Sequence, residues 1–277
     1  MSGLCVEDLR VEYRLDVKGE AAYAAALKGV SLHVEPGHSL GILGETGSGK
    51  SSLGMAIMRL LPMTARVTGE IRLDDWDLLR LDRKAIEKIR GPEIGMIFQD
   101  PGAALNPVRT IGAQITETAR VHDHSLSRSA AHDLAVKTVE ELGLKGERLG
   151  SYPHQLSGGM QQRALIASVM VANPKFLIAD EPTASLDKVT EHQIILLLRR
   201  LQRERQLGFI LISHHIGVVN ALCDEVAVIY RGELVESGPT KKVLSDPQHT
   251  YTAMLVNATK RTMDDKGRLV TAPPQRN

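Results

Sequence analysis

Cysteine is scarce in this chain: 277 residues hold two, Cys5 and Cys223, far apart and without a CxxC pair. That excludes a zinc ribbon, an iron–sulfur cluster and a disulfide framework, and both thiols read as small core residues. Aromatic residues make up 3% of the chain, too few to build a base-stacking surface for single-stranded nucleic acid. Neither sign of charge dominates, since 34 Lys and Arg stand against 33 Asp and Glu. No global field therefore draws in nucleic acid or anionic lipid, and any anion site must be local. Long apolar runs are missing as well. The longest stretch free of polar residues and glycine, residues 21–27, has seven members, where a bilayer span needs roughly 20. Glu7 and Asp8 stand where a signal peptide would carry an apolar run, so a cytosolic protein is expected.

What is present suffices for one good core, with 43% hydrophobic and 24% charged residues. Short β-branched runs bounded by glycine or proline predict strands at 9–13, 30–34, 39–43, 70–73, 95–98, 176–179, 209–212 and 226–230. Helical patterns fall between them: 50–61 stopped by Pro62, 127–142 stopped by Gly143, and 187–205 stopped near Gly208. Strands alternating with helices predict an α/β core. From about 101 to 156 no strand pattern is found, and Leu134, Ala135, Val139 and Leu142 line one face of an amphipathic helix. This predicts an inserted helical subdomain, taken as about 101–165. Residues 258–277 are polar and carry Pro273 and Pro274, which predicts a disordered tail after a domain spanning 1–257.

The strongest local signal is Gly44-Glu45-Thr46-Gly47-Ser48-Gly49-Lys50-Ser51, with Ser52 next, between an apolar strand and a helical pattern. This is a P-loop in the strand–loop–helix setting it requires. Its glycines let backbone N–H groups surround phosphates, the helix N-terminus adds positive potential, and Lys50 reaches the β- and γ-phosphates. Ser51 is then a ligand for Mg²⁺. Downstream, Phe176-Leu177-Ile178-Ala179-Asp180-Glu181 is an apolar strand ending in two carboxylates, where an α/β sheet presents its ligand-binding edge. Asp180 is placed on Mg²⁺ through water, and Glu181 on the attacking water, to orient or deprotonate it.

Leu156-Ser157-Gly158-Gly159-Met160-Gln161-Gln162-Arg163 resembles the signature sequence of ATP-binding cassette (ABC) ATPases. Ser157 suits a helix N-cap and the two glycines expose backbone N–H groups, making a second phosphate cradle. The resemblance implies a P-loop NTPase fold, a RecA-like core with an antiparallel β-subdomain and the helical insert, acting on ATP with Mg²⁺. It also implies a head-to-tail dimer in which Ser157, Gly158 and Gly159 complete the partner's site. Gln99 resembles the Q-loop glutamine that contacts Mg²⁺ and water. Asp187, in Ser185-Leu186-Asp187, resembles the D-loop residue at the dimer interface, and His214 the switch histidine that senses the γ-phosphate. Tyr13 resembles the aromatic that stacks on adenine, with Tyr23 the alternative. Relatives place an acidic residue after the switch histidine; here stands His215, and an alternative reading has both histidines share the role.

Fifty-seven residues separate Gln99 from Ser157, which leaves no room for the coiled coils of DNA-repair relatives, and translation-factor relatives carry two cassettes. Met96-Ile97-Phe98-Gln99-Asp100-Pro101, Leu105-Asn106-Pro107, Tyr152-Pro153-His154-Gln155 and His249-Thr250-Tyr251-Thr252 resemble the oligopeptide, dipeptide and nickel importer ATPases, of the first of their two ATPase types. That resemblance implies a related second ATPase chain, two membrane permease subunits, an extracytoplasmic solute-binding protein and a peripheral position on the cytoplasmic face of the membrane. No nucleic-acid partner is expected. The absence of cysteine after Cys223 leans towards the nickel or metal-chelate branch. A soluble assembly or regulatory ATPase without a permease is the alternative. Arg199, Arg200, Arg203 and Arg205 read as a solvated helix face.

Overall fold

The computed structural model describes residues 3–17 and 20–261. From the N-terminus come β1 (Leu4–Val17), β2 (Glu20–Val34), β3 (Ser39–Leu43), α1 (Lys50–Ile57), β4 (Arg66–Leu73), β5 (Trp76–Asp77), α2 (Arg83–Ile89) and β6 (Ile94–Ile97). Helices α3 (Pro101–Ala104), α4 (Ile111–His122), α5 (Arg128–Glu141) and α6 (Gly158–Met170) follow with no strand between them. The chain then runs through β7 (Phe176–Asp180), α7 (Lys188–Glu204), β8 (Gly208–Ser213), α8 (Ile216–Leu222) and β9 (Glu225–Tyr230). It ends in β10 (Glu233–Pro239), α9 (Thr240–Ser245) and α10 (Thr250–Arg261).

Two sheets result. One is four-stranded and antiparallel in the order β2-β1-β4-β5. The other has the order β10-β9-β3-β8-β7-β6, parallel apart from β10, which pairs antiparallel at the edge. The parallel strands are buried on both faces, so successive residues serve two different cores. Leu177, Ala179, Phe209 and Leu211 pack with α4 to α8. Phe176, Ile178, Ile210 and Ile212 pack with α1 and the antiparallel sheet.

Register sets the position of the chemistry. Leu43 pairs with Ser213 across β3 and β8, and Asp180 with Ile212 across β7 and β8. The residues that follow these strands therefore emerge together at one edge of the sheet.

Two of the three predicted helices begin and end at their caps, whereas α1 stops at Ile57 with Met58 as its C-cap, short of the predicted end at Leu61. Ser127 and Asp187 accept hydrogen bonds from the first turns of α5 and α7, as N-cap side chains do. Leu142 and Arg205 occupy the C-caps. All eight predicted strands are present, but β1 and β2 extend much further, because their outer halves pair with each other rather than with a hydrophobic core. Sequence reading missed β10, an edge strand with the non-alternating sequence Glu-Leu-Val-Glu-Ser-Gly-Pro.

Three expectations need correcting. Cys5 is not a core residue. Leu4 and Val6 point inward, so strand alternation turns Cys5 outward, half-buried, with its Sγ 3.5 Å from Glu7 Oε1. Arg205 is not merely solvated: it donates twice to the Glu141 carboxylate of α5, at 2.9 and 2.7 Å. Helix α10 continues to Arg261, past the expected boundary at 257; the rest of the predicted tail, 262–277, lies outside the described residues.

Candidate functional site

The P-loop occupies the turn between β3 and α1. Two of its glycines are required by close approach. A side chain on Gly49, which has φ +105°, would place Cβ 2.3 Å from the Ala26 carbonyl oxygen of β2, and one on Gly44 would come 2.2 Å from that of Ile229. The loop is therefore clamped between β2 and β9 by backbone contact. Gly47, with φ +82°, has open space beside it. Gly49 also serves as the N-cap of α1 and offers no side-chain cap, so the first N–H groups of the helix remain available to an anion.

A cleft of about 440 Å³ opens beside the loop, lined by Thr46, Gly47, Gly49, Lys50, Ser51 and Ser52 on one side. Tyr13, residues 24–26, Gln99, Glu181 and His214 complete it. Gly44, Glu45 and Ser48 do not line it; they brace the turn from behind, with Ser48 N donating to Glu45 O at 3.2 Å. Lys50 Nζ folds back to donate to the carbonyl oxygens of Gly44 and Glu45, both at 2.8 Å. Burial holds this ammonium below its ordinary pKa, while Glu181, Asp180 and Glu45 pull it the other way.

Asp180 closes β7 almost fully buried, and its Oδ1 has no hydrogen-bond partner. Burial raises its pKa, Glu181 adds to the rise, and Ser51 and Lys50 oppose it. A buried carboxylate oxygen left without a partner beside a serine hydroxyl is a site that suits a hard divalent cation. Among the described residues no group of three or more His, Cys, Asp or Glu side chains could hold a metal. A cation here would take its remaining ligands from water and phosphate, as Mg²⁺ does.

Glu181 stands directly after β7 with φ +45°, a conformation rare outside glycine. Its amide is held by Ile212 O at 2.9 Å. Its Oε1 accepts from His214 N at 2.9 Å and lies 2.6 Å from His214 Nδ1, and its Oε2 accepts from Ser213 Oγ at 3.2 Å. Sequence reading missed Ser213, whose oxygen also accepts from His215 N at 3.0 Å. His215 makes a different contact from its neighbour. Its Nδ1 accepts from Val218 N at 3.3 Å as the N-cap of α8, which is the task an acidic residue would perform at that position.

Tyr13 borders the cleft, its hydroxyl 2.9 Å from Ser52 Oγ. Tyr23 does not border it, and its ring is covered by the Arg66 guanidinium 3.5 Å from the centroid. Ser157 Oγ accepts from Met160 N at 3.4 Å as the cap of α6, and Gln161 Nε2 braces the turn through Pro153 O at 2.8 Å. None of Ser157, Gly158, Gly159 and Asp187 lines the cleft of its own chain. Asp187 spends its carboxylate on the cap of α7, accepting from Val189 N, Thr190 N and Thr190 Oγ1. A larger cleft, about 880 Å³, lies on the helical insert and holds none of the expected site residues.

A family model described as ABC transporter matches residues 27–184. The chain belongs to that family. This ABC cassette is 42% identical over 266 residues to the oligopeptide transport ATP-binding protein OppD of Bacillus subtilis (strain 168), covering 95% of this chain and 73% of that protein. It is 42% identical over 273 residues to a putative peptide import ATP-binding protein of Brucella abortus (strain 2308), with 94% and 78% covered. Among solved structures, the dimeric form of a bacterial ABC transporter cassette superposes with a TM-score of 0.74 at 27% identity, covering 86% of this chain and 98% of that one. The protein cbiO1 from Clostridium perfringens, part of the ABC transporter complex cbiONQ, gives 0.71 at 29% identity, covering 91% and 95%. The chain is an ABC ATPase with the fold of these cassettes.

Proposed function

We propose that this ABC ATPase energises an importer for peptides or related small solutes, working with a second cassette and two membrane permease subunits on the cytoplasmic face of the membrane. Among the described residues no helix is long and apolar enough to cross a bilayer, so the span would come from those partners. The peptide-import names of relatives more than 40% identical over most of the chain support the solute class.

The observation that carries the catalytic reading is the placement of Glu181 and His214 in one cleft with the P-loop. In this reading the N–H groups of Gly47, Gly49, Lys50 and Ser51 cradle the phosphates of ATP, the Lys50 ammonium donates to the β- and γ-phosphates, and Tyr13 stacks on adenine. Ser51, Asp180 and Gln99 hold Mg²⁺, which when bound neutralises charge on the phosphoryl oxygens. Glu181 orients a water for in-line attack on the γ-phosphorus and takes its proton as the bond to the β-phosphate oxygen breaks. His214 fixes the Glu181 carboxylate in place. Catalysis is thus mostly positioning and electrostatics. Ser157, Gly158, Gly159 and Asp187 serve the partner's cleft, which their absence from their own supports.

The test is to purify the chain from detergent-extracted membranes and reconstitute the resulting complex. Polytopic permeases should co-purify, and peptide with its binding protein should stimulate phosphate release. Recovery with soluble proteins alone would reject the importer reading.

A further inference from the structure

The matched family region ends at residue 184, yet the P-loop is held from beyond it. Glu45 N donates to the hydroxyl of Tyr251, on α10, at 2.8 Å. Tyr251 is 5% exposed and its ring stacks on Tyr230 at the end of β9, with centroids 4.1 Å apart. The start of α10 is itself fastened. Glu236 on β10 accepts from Gln248 N at 2.8 Å and His249 N at 3.0 Å, and His249 Nδ1 accepts from Tyr251 N at 3.2 Å. A continuous set of contacts runs from the edge strand β10 through α10 to the first turn of the P-loop.

We propose that Tyr251 is a positioning residue of the ATP site, holding the Gly44–Glu45 peptide in the shape that phosphate binding needs. The argument rests on the ATP reading of the cleft and on how the turn is held. Lys50 Nζ ties down the carbonyl oxygens of Gly44 and Glu45, and its third N–H is left for a phosphate oxygen. Ser48 N adds a second tie on the Glu45 carbonyl, and Tyr251 holds the amide of the same residue. Without the Tyr251 hydroxyl the amide is orphaned, and in the nucleotide-free chain the peptide turns to find water. ATP must pull it back, and that cost falls on affinity. The chemistry at Glu181 is untouched, since Tyr251 meets the loop at Glu45 and neither residue lines the cleft.

Full-length Tyr251→Phe, Tyr230→Phe and Lys50→Ala proteins test this by Mg-ATP titration, steady-state ATPase kinetics and thermal melting with and without nucleotide. Tyr251→Phe keeps the ring stack and removes only the hydroxyl. It should raise both Kd and KM for ATP about fivefold, the worth of one neutral hydrogen bond, and leave kcat within about twofold. The rise in Tm on adding ATP should shrink, and Tyr230→Phe should bind ATP as the wild type does. Wild-type Kd and KM in Tyr251→Phe, whatever its Tm, would overturn the proposal as a merely structural role. So would an equal loss of affinity in Tyr230→Phe, or a fall in kcat at unchanged KM. If Lys50→Ala binds ATP normally, the ATP reading itself fails; if it loses binding while Tyr251→Phe does not, only the Tyr251 proposal fails.

Discussion

The Glu181 carboxylate is bound at both oxygens by residues of the next strand end: Oε1 by the main chain and Nδ1 of His214, Oε2 by Ser213 Oγ. The 2.6 Å contact to Nδ1, together with the main-chain amide and the Ser213 hydroxyl, fixes the direction in which Glu181 points.

Glu181→Gln removes the base while keeping the shape. ATP binding should persist and turnover should fall by about two to three orders of magnitude, with an ATP-loaded dimer accumulating on size-exclusion chromatography. Wild-type phosphate release would reject the assignment of Glu181.

Ser157 lies outside the cleft of its own chain, so its loss should act across the dimer. Ser157→Arg should block hydrolysis in the site completed by the mutated signature while its own P-loop still binds nucleotide. The check is ATP turnover in complexes where one of the two ATPase chains carries the change; full activity in every combination would argue against the sandwich.

Gly49→Ala places a Cβ against the Ala26 carbonyl oxygen at a positive φ. The expected cost is on the order of 2 kcal/mol or more in stability, read from urea denaturation. Gly47→Ala, with open space at its Cβ, should cost less stability.

His215 caps α8 through a ring nitrogen. Replacing it with aspartate, a stronger cap that also favours the helix dipole, should stabilise by about 0.5–1 kcal/mol, and His215→Ala should destabilise. Neither should change the Glu181–His214 pair, so kcat should hold. A loss of turnover in His215→Asp would support the reading in which both histidines act.

Glu236 gives a pH dependence. Burial pushes its carboxyl up, but the amides of Gln248 and His249 that donate to it help to outweigh burial and hold its pKa below the ordinary value. A depressed acid contributes stability above its unfolded pKa and loses it as pH falls through the folded one. Thermal melts from neutral to acid pH should therefore show wild type losing more stability than Glu236→Gln over that range, the two converging at the acid end.

Much of the catalytic reading was legible in sequence because the chemistry is local. A P-loop needs glycines at set spacings between a strand and a helix, and Asp180-Glu181 and Ser213-His214 each end an apolar run, so residue order alone places each at a strand's carboxyl end. Helix caps were legible for the same reason, as the caps Ser127, Ser157 and Asp187 show. What only the tertiary structure decided are the contacts between residues far apart in sequence. Parallel pairing of β3, β8 and β7 brought those strand ends to one edge; the Arg66 guanidinium covered Tyr23 and left Tyr13 at the cleft. The amide of Glu45 found its acceptor 206 positions away in Tyr251, because a part-buried N–H gains from a partner and the fold, not the local sequence, chooses what stands beside it.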